Sequence, residues 1–203
     1  MCPGGSGGLS GGMGKVIYSV ASSLDGYNSD EQGGFSWAVP DEAVVAALTT
    51  DLAPVSTYLY GRRMYETMAV WETDPTAATW SPESARFAET WKRAEKIVFS
   101  SSLERTWTGR TRLEREFTAE AVERARSEAS GDLTIEGPTL AGSALRLGLV
   151  DVVELLLCPV AVGGGTPVFP DGLSLELRLL RERRFDNGMV QVGYEVRHPR
   201  SRG

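Results

Sequence analysis

The sequence predicts an α/β domain with a mostly parallel central sheet of about eight strands, flanking helices and an antiparallel C-terminal hairpin. Three observations carry this. Short β-rich apolar runs alternate with segments of helical periodicity, as successive β-α-β units require. Glycine or serine turns follow four of the strands, at Ser22–Gly26, Gly61, Ser100–Ser102 and Gly137. Near the end, Asp186-Asn187-Gly188 separates two alternating runs, which is a hairpin signal.

Taken in order, Lys15–Ala21 reads as the first strand, and Ser22–Gly26 as its turn. A polar and glycine loop from Tyr27 to Phe35 leads to Trp37 and Pro40. Asp41 and Glu42 then open a helix burying Val44, Val45 and Leu48. Acids in a first turn are favoured by the helix dipole alone. Val55–Tyr60 is a strand that delivers Gly61, Arg62 and Arg63 to the start of a short helix. Ser81-Pro82-Glu83 is a helix start with cap, proline and acid in sequence, and Phe87, Trp91 and Ala94 form its inner stripe. Lys96–Phe99 is a strand ending in three serines, and Arg110–Arg115 is an edge strand. Thr118 caps a charged helix running to Ala129, with Val122, Ala125 and Ala129 inward.

Leu133–Ile135 is a strand that ends at Gly137-Pro138-Thr139. A helix follows with Leu140, Ala144, Leu145 and Leu147 on its inner face and Gly148 as a left-handed cap. Val152–Val162 is apolar except for Glu154, as for a strand covered on both faces. Leu175–Phe185 and Val190–Val196 alternate as the closing hairpin. A glycine turn at a strand's carboxyl end can cradle a phosphate on a helix dipole, or merely turn the chain. Paired arginines and strand-end serines likewise serve as phosphate ligands or as plain surface. In an open α/β sheet all four turns share one rim, where ligands bind. Gly163–Gly165 does not open a helix, because Pro167 and Val168 follow; it reads as a turn between strands.

Composition narrows the function. With 41% apolar and 24% charged residues, the 203-residue chain is an ordinary globular domain, and its net charge of -6 argues against nucleic acid as the main partner. No apolar run reaches the roughly 20 residues of a membrane span. Two cysteines, Cys2 and Cys158, fit a reducing cytoplasm. The single histidine, His198, leaves no hydrolase triad and no metal site, so chemistry rests on a bound cofactor. Residues 1–14 read as a glycine-rich leader, either a disordered tail or a cloning scar. Residues 15–198 read as one domain and 199–203 as a tail.

The segments Ser23–Gly26 (SLDG), Leu59–Met68 (LYGRRMYETM), Ile97–Leu103 (IVFSSSL), Ile135–Leu155 and Pro159–Phe169 (PVAVGGGTPVF) resemble the dihydrofolate reductase-like superfamily. Within it they are most similar to the reductase domain of the riboflavin-biosynthesis deaminase–reductase. The resemblance implies an NADPH-dependent reductase and a homodimer. It places Val20 and Ala21 at the nicotinamide, with Asp25 and Gly26 in the adjoining turn. Gly61, Arg62, Arg63, Ser100 and Ser101 fall at the adenosine 2′-phosphate and pyrophosphate. Gly137, Pro138, Thr139 and Leu140 fall at the pyrophosphate. It puts Glu42 or Asp41 in the place of the catalytic acid, with Trp37, Tyr65 and Trp71 around the substrate. Two departures matter: Glu136-Gly137-Pro138 replaces a double glycine, and the helix after Asp41 lacks the family's arginines for a ribose phosphate. The expected reaction is therefore hydride transfer to a pterin- or pyrimidine-like heterocycle. The alternative is a nucleotide- or pterin-binding protein without turnover.

Overall fold

The computed structural model describes residues 14–197. The expected leader up to residue 13, His198 and the expected tail lie outside them. Strand β1 (Val16–Ser22) leads through a short β2 (Tyr27–Ser29) to α1 (Glu42–Asp51) and β3 (Val55–Gly61). Then come α2 (Arg62–Met68), α3 (Val70–Thr73), α4 (Pro82–Arg93), β4 (Glu95–Phe99) and β5 (Thr111–Glu114). Helix α5 (Ala119–Glu128), β6 (Asp132–Glu136), α6 (Pro138–Arg146), β7 (Val152–Leu157), β8 (Thr166–Pro167), β9 (Glu176–Arg184) and β10 (Val190–Arg197) complete the chain.

The helix starts obey the capping logic of the sequence. The side chains of Asp41, Ser81 and Thr118 accept from Val44, Ser84 and Ala121 N–H groups and so satisfy donors that a first turn leaves free. Gly148 adopts φ +67, as the C-terminal cap of α6 demands.

The main sheet runs β5-β4-β3-β6-β1-β7-β10-β9. Its first six strands are parallel, and β10 is antiparallel to both β7 and β9. One face packs Val16, Tyr18, Leu59, Ile97 and Ile135 against α5 and α6. The other packs Tyr58, Tyr60 and Val98 against α2 and α4, and α1 joins a third cluster through Val44, Leu156 and Cys158. Trp91 is fully buried, and its indole N–H donates to the Tyr60 hydroxyl at 2.9 Å. Lys96 is buried below it and donates to the Trp91 and Ala94 carbonyls, both at 3.0 Å, closing the C-terminus of α4.

Several expectations need correction. The strand expected over Val152–Val162 stops at Leu157, where the Cys158 N–H makes a last bond to the Ser22 carbonyl and Pro159 follows. The loop expected over Tyr27–Phe35 contains β2, which pairs with β8 in a separate small sheet. Leu147 is exposed at the end of α6, and Leu177 and Leu179 are exposed on the edge strand β9. Periodicity marks such side chains as inward, but only the tertiary fold decides whether anything faces them.

Candidate functional site

The four strands followed by glycine or serine turns are consecutive in the sheet, β4-β3-β6-β1. From β1 the chain crosses through α1 beyond β6 to β3, whereas from β6 it crosses through α6 beyond β1 to β7. The connections diverge, so a crevice opens between the carboxyl ends of β1 and β6, as at the switch point of any open α/β sheet. The register shows the gap directly. Strand β1 pairs with β6 only as far as Tyr18, opposite Ile135, yet it pairs with β7 through Ser22.

The Ser22 carbonyl is bonded on the β7 side by Cys158. Strand alternation therefore turns the Val20 backbone toward β7 and the Ala21 backbone toward the gap. The Val20 side chain lies in the core, so of the two expected residues only Ala21 fronts the crevice. Its carbonyl accepts from the Asn28 side chain at 3.1 Å.

On the other side of the gap, Gly137 adopts φ +91 and opens α6 with no side-chain cap. Pro138 has no N–H, so Thr139 and Leu140 supply the first helical donors. Gly61 opens α2, also without a side-chain cap. The two turns are neighbours: a Cβ on Gly137 would lie 3.5 Å from the Met64 Cβ, and one on Gly61 would lie 3.9 Å from the Leu140 Cβ.

Arg62 and Arg63 are exposed in the first turn of α2. Arg62 reaches Glu66 at 2.7 Å and the Ser102 hydroxyl at 3.3 Å, which joins the α2 start to the turn after β4. Ser101 is exposed there. Ser100 is not free: it is buried, and its hydroxyl accepts from the Ser102 and Leu103 N–H groups. Arg115, which the sequence placed only in an edge strand, donates to the Ser100 and Leu103 carbonyls and adds a cation to this end of the rim.

The turn after β1 is knitted to the glycine-rich segment before β8. Asp25 accepts from Val162 N–H at 3.1 Å and Gly163 N–H at 2.7 Å, and the Leu24 N–H donates to the Val160 carbonyl. The Ser23 hydroxyl and the Gly163 and Val162 N–H groups hold the Asp25 carboxyl down to about 2. Asp25 is therefore an intramolecular latch, and Gly26, at φ +89, accepts from the Val168 N–H. Gly165 must lack a side chain, because a Cβ would fall 2.0 Å from the Ser29 carbonyl oxygen.

The expected acids and aromatics sort differently. Asp41 is the cap of α1 and Glu42 is exposed in its first turn, so both occupy the dipole-favoured positions. Tyr65 is fully buried; its hydroxyl accepts from the Trp107 and Thr108 N–H groups, which makes it a core residue. Trp71 packs edge-on against Phe87 at 4.8 Å and Trp80 at 5.7 Å, within the α3–α4 layer. Trp37 does reach the cluster that contains Ala21 and Val44, and its buried indole N–H has no partner among the described residues.

The acid that sequence reasoning passed over as a motif variant is Glu136. It ends β6 at the crevice, only 8% exposed, and burial alone pushes its carboxyl up to about 8. Ile135 points to the α6 face, so Glu136 points to the other, as does Tyr58, whose fully buried hydroxyl is unpartnered. A buried unsatisfied polar group costs roughly 1–3 kcal/mol. Glu136 and Tyr58 thus put polar groups on the face of the sheet that packs against α2 and α4, while the Trp37 indole lies in the α1 cluster. An acid at the carboxyl end of a buried strand, directly before a glycine turn, was the signal that could have found Glu136. Among the described residues no group of three or more His, Cys, Asp or Glu could hold a metal ion. A hollow of about 550 Å³ near Val55, Glu95 and Arg112 lies at the opposite ends of the same strands.

Comparison with known proteins agrees with this fold. Residues 14–191 match the family model described as the RibD C-terminal domain. The uncharacterised protein YyaP of Bacillus subtilis is 26% identical over 185 residues, covering 89% of this chain and 94% of that protein. A candidate riboflavin-biosynthesis protein of Shewanella sp. PV-4 superposes with a TM-score of 0.71 at 20% identity, over 91% of this chain and 99% of that one. Dihydrofolate reductase of Enterococcus faecalis, in complex with NADP(H), gives 0.60 at 13% identity over 92% and 98%. The fold is that of dihydrofolate reductase.

Proposed function

Because the chain belongs to the RibD C-terminal domain family, we propose that it is an NADPH-dependent reductase of a flat pterin- or pyrimidine-like heterocycle. The observation that carries this reading is a buried, proton-holding carboxyl, Glu136, at the mouth of the β1–β6 crevice.

The residues present suit a phosphorylated dinucleotide. Bare Gly137 lets a pyrophosphate approach the N–H groups of Thr139 and Leu140 at the start of α6. Arg62, Arg63, Ser101 and Arg115 border the adjoining turn and suit a 2′-phosphate, whose dianion favours charge-assisted donors. The Ala21 backbone fronts the gap where a carboxamide would bond. The bound coenzyme supplies the hydride. The chain supplies orientation and a proton: at neutral pH Glu136 is protonated and can donate to the nitrogen that becomes reduced. Helix α1 is apolar toward the core and contains no lysine or arginine, which favours a substrate without a phosphate on that side.

The test is to mix the protein with NADPH and a panel of pterins, dihydrofolate and pyrimidines, following loss of reduced nicotinamide absorbance. Consumption with at least one of them is expected. Arg62→Ala should weaken NADPH about tenfold more than NADH, since a hydrogen bond to a charged group is worth about 1.5–3 kcal/mol. Thermal stabilisation by NADPH with no consumption across the panel would favour a binding protein, and no stabilisation at all would remove the coenzyme.

A further inference from the structure

Strand β2 has three residues and β8 two, a pair too short to hold together alone, yet the chain fastens it on every side. The Ser23 N–H donates to the Tyr27 carbonyl at 2.8 Å, and the Ser23 hydroxyl accepts from the Tyr27 N–H at 3.0 Å. The Ser29 hydroxyl meets that of Thr166 at 3.0 Å, and the Val168 N–H donates to the Gly26 carbonyl at 2.9 Å. Between these fastenings stands Asn28. The ladder pairs Tyr27 with Pro167 and Ser29 with Thr166, so two steps along β2 match one along β8. Asn28 is thus the extra residue of a bulge, and a bulge re-aims the side chain that it carries. That side chain leaves its own sheet for the main one, where its Nδ2 donates to the Ala21 carbonyl at 3.1 Å.

What the amide has left decides its use. A primary amide carries two N–H hydrogens and an oxygen with two lone pairs. The Ala21 carbonyl takes one hydrogen and so fixes which amide atom faces the backbone. Among the described residues the Asn28 side chain makes no other hydrogen bond, which leaves its second N–H and its Oδ1. Ala21 lies beyond Tyr18, where β1 parts from β6, so its carbonyl fronts the crevice, and that oxygen keeps a lone pair of its own. One donor and two acceptors therefore stand together at the crevice mouth, half-buried. An anion would meet two oxygens there, and an apolar edge would leave all three groups unpaired. A carboxamide presents the complementary set in one plane. We propose that Asn28 is the positioning residue for the nicotinamide carboxamide, which it holds beside Ala21 as an amide-to-amide pair. This rests on the coenzyme reading above. Fixing the carboxamide fixes the ring that bears it, and transfer to a substrate demands that one ring face be held toward it. The bulge, the Asp25 latch and the close fit of Gly165 against the Ser29 carbonyl then share one purpose, which is to hold Asn28 still.

Calorimetric titration with NADPH, and with the same coenzyme lacking its nicotinamide (2′-phosphoadenosine diphosphoribose), tests this without any substrate. The wild type should bind NADPH the tighter of the two. Asn28→Ala should weaken NADPH about tenfold, the worth of a hydrogen-bond pair, and leave the nicotinamide-free fragment nearly unchanged. Asn28→Asp, equal in size, should lose at least as much, because a carboxylate cannot donate to the Ala21 carbonyl. Unchanged NADPH affinity in Asn28→Ala overturns the proposal, as does an equal loss for both ligands, which would mark a residue that only supports the fold. If neither variant folds, the wild type decides with the acetylpyridine analogue of the coenzyme, in which a methyl group replaces the amide nitrogen. It should bind about tenfold more weakly than the parent coenzyme in the same oxidation state, and equal affinity overturns the proposal. A wild type that binds neither NADPH nor the fragment overturns the coenzyme reading itself, and this inference with it.

Discussion

Glu136 concentrates the physical chemistry of the site in one residue. An ionised carboxylate at its position would lose water without gaining a hydrogen bond, so burial moves its pKa from 4.5 to about 8. In the folded chain it keeps a proton that the unfolded chain has lost between those two values. The associated stability is complete below 4.5 and is lost as pH rises through about 8. The slope is at most about 1.4 kcal/mol per pH unit for one proton. Glu136→Gln removes that slope, so the variant should gain melting temperature relative to wild type between pH 5 and pH 9. At roughly 2–4 °C per kcal/mol for a chain this long, the gain should be about 5 °C or more. In turnover, the wild-type rate should fall as pH passes about 8. The glutamine variant should be slower by about a hundredfold or more and lose that fall. A variant with wild-type rate and pH profile would remove Glu136 from the chemistry.

At the scale of elements, the helix starts divide by purpose. Helices α1, α4 and α5 are closed by Asp41, Ser81 and Thr118, whereas α2 and α6 begin at bare glycines directly after central strands. The Gly137 conformation, φ +91 with ψ 121, is one that other residues enter only under strain. Gly137→Ala should cost about 1–3 kcal/mol in urea unfolding and weaken NADPH binding, because the new methyl must reorient the first turn of α6. A variant of wild-type stability and affinity would deny that turn its role. The caps were legible because each lies within four residues of the donor it satisfies. The two small strands β2 and β8 were not, since their pairing joins segments far apart in the chain.

For the whole molecule, position in the sheet should set local stability. Strands β3, β6 and β1 are paired on both sides and covered on both faces, while β5 is an edge strand and β2–β8 is an isolated pair. Native-state hydrogen exchange should therefore be slowest in β6 and β1 before their divergence and fastest in β5 and β2, because opening a central strand breaks two ladders. Uniform exchange would contradict a single cooperative sheet. Such a core also supplies a rigid floor for a site made of turns, which places precision in strands and variation in loops.

The sequence by itself determined the succession of strands and helices, their caps, the closing hairpin and the four turns from which the crevice is built. All of these follow from periodicity and from contacts between near neighbours. Tertiary structure alone decided where along that shared rim the crevice opens, and that Ala21 rather than Val20 fronts the gap. It also turned Tyr65 and Trp71 into packing residues and left a glutamate read as a motif variant as the buried acid. The physical reason is that burial and desolvation depend on what arrives from distant parts of the chain. Leu179 and Glu136 make the point together: an apolar residue is left in water, and an acid is taken out of it.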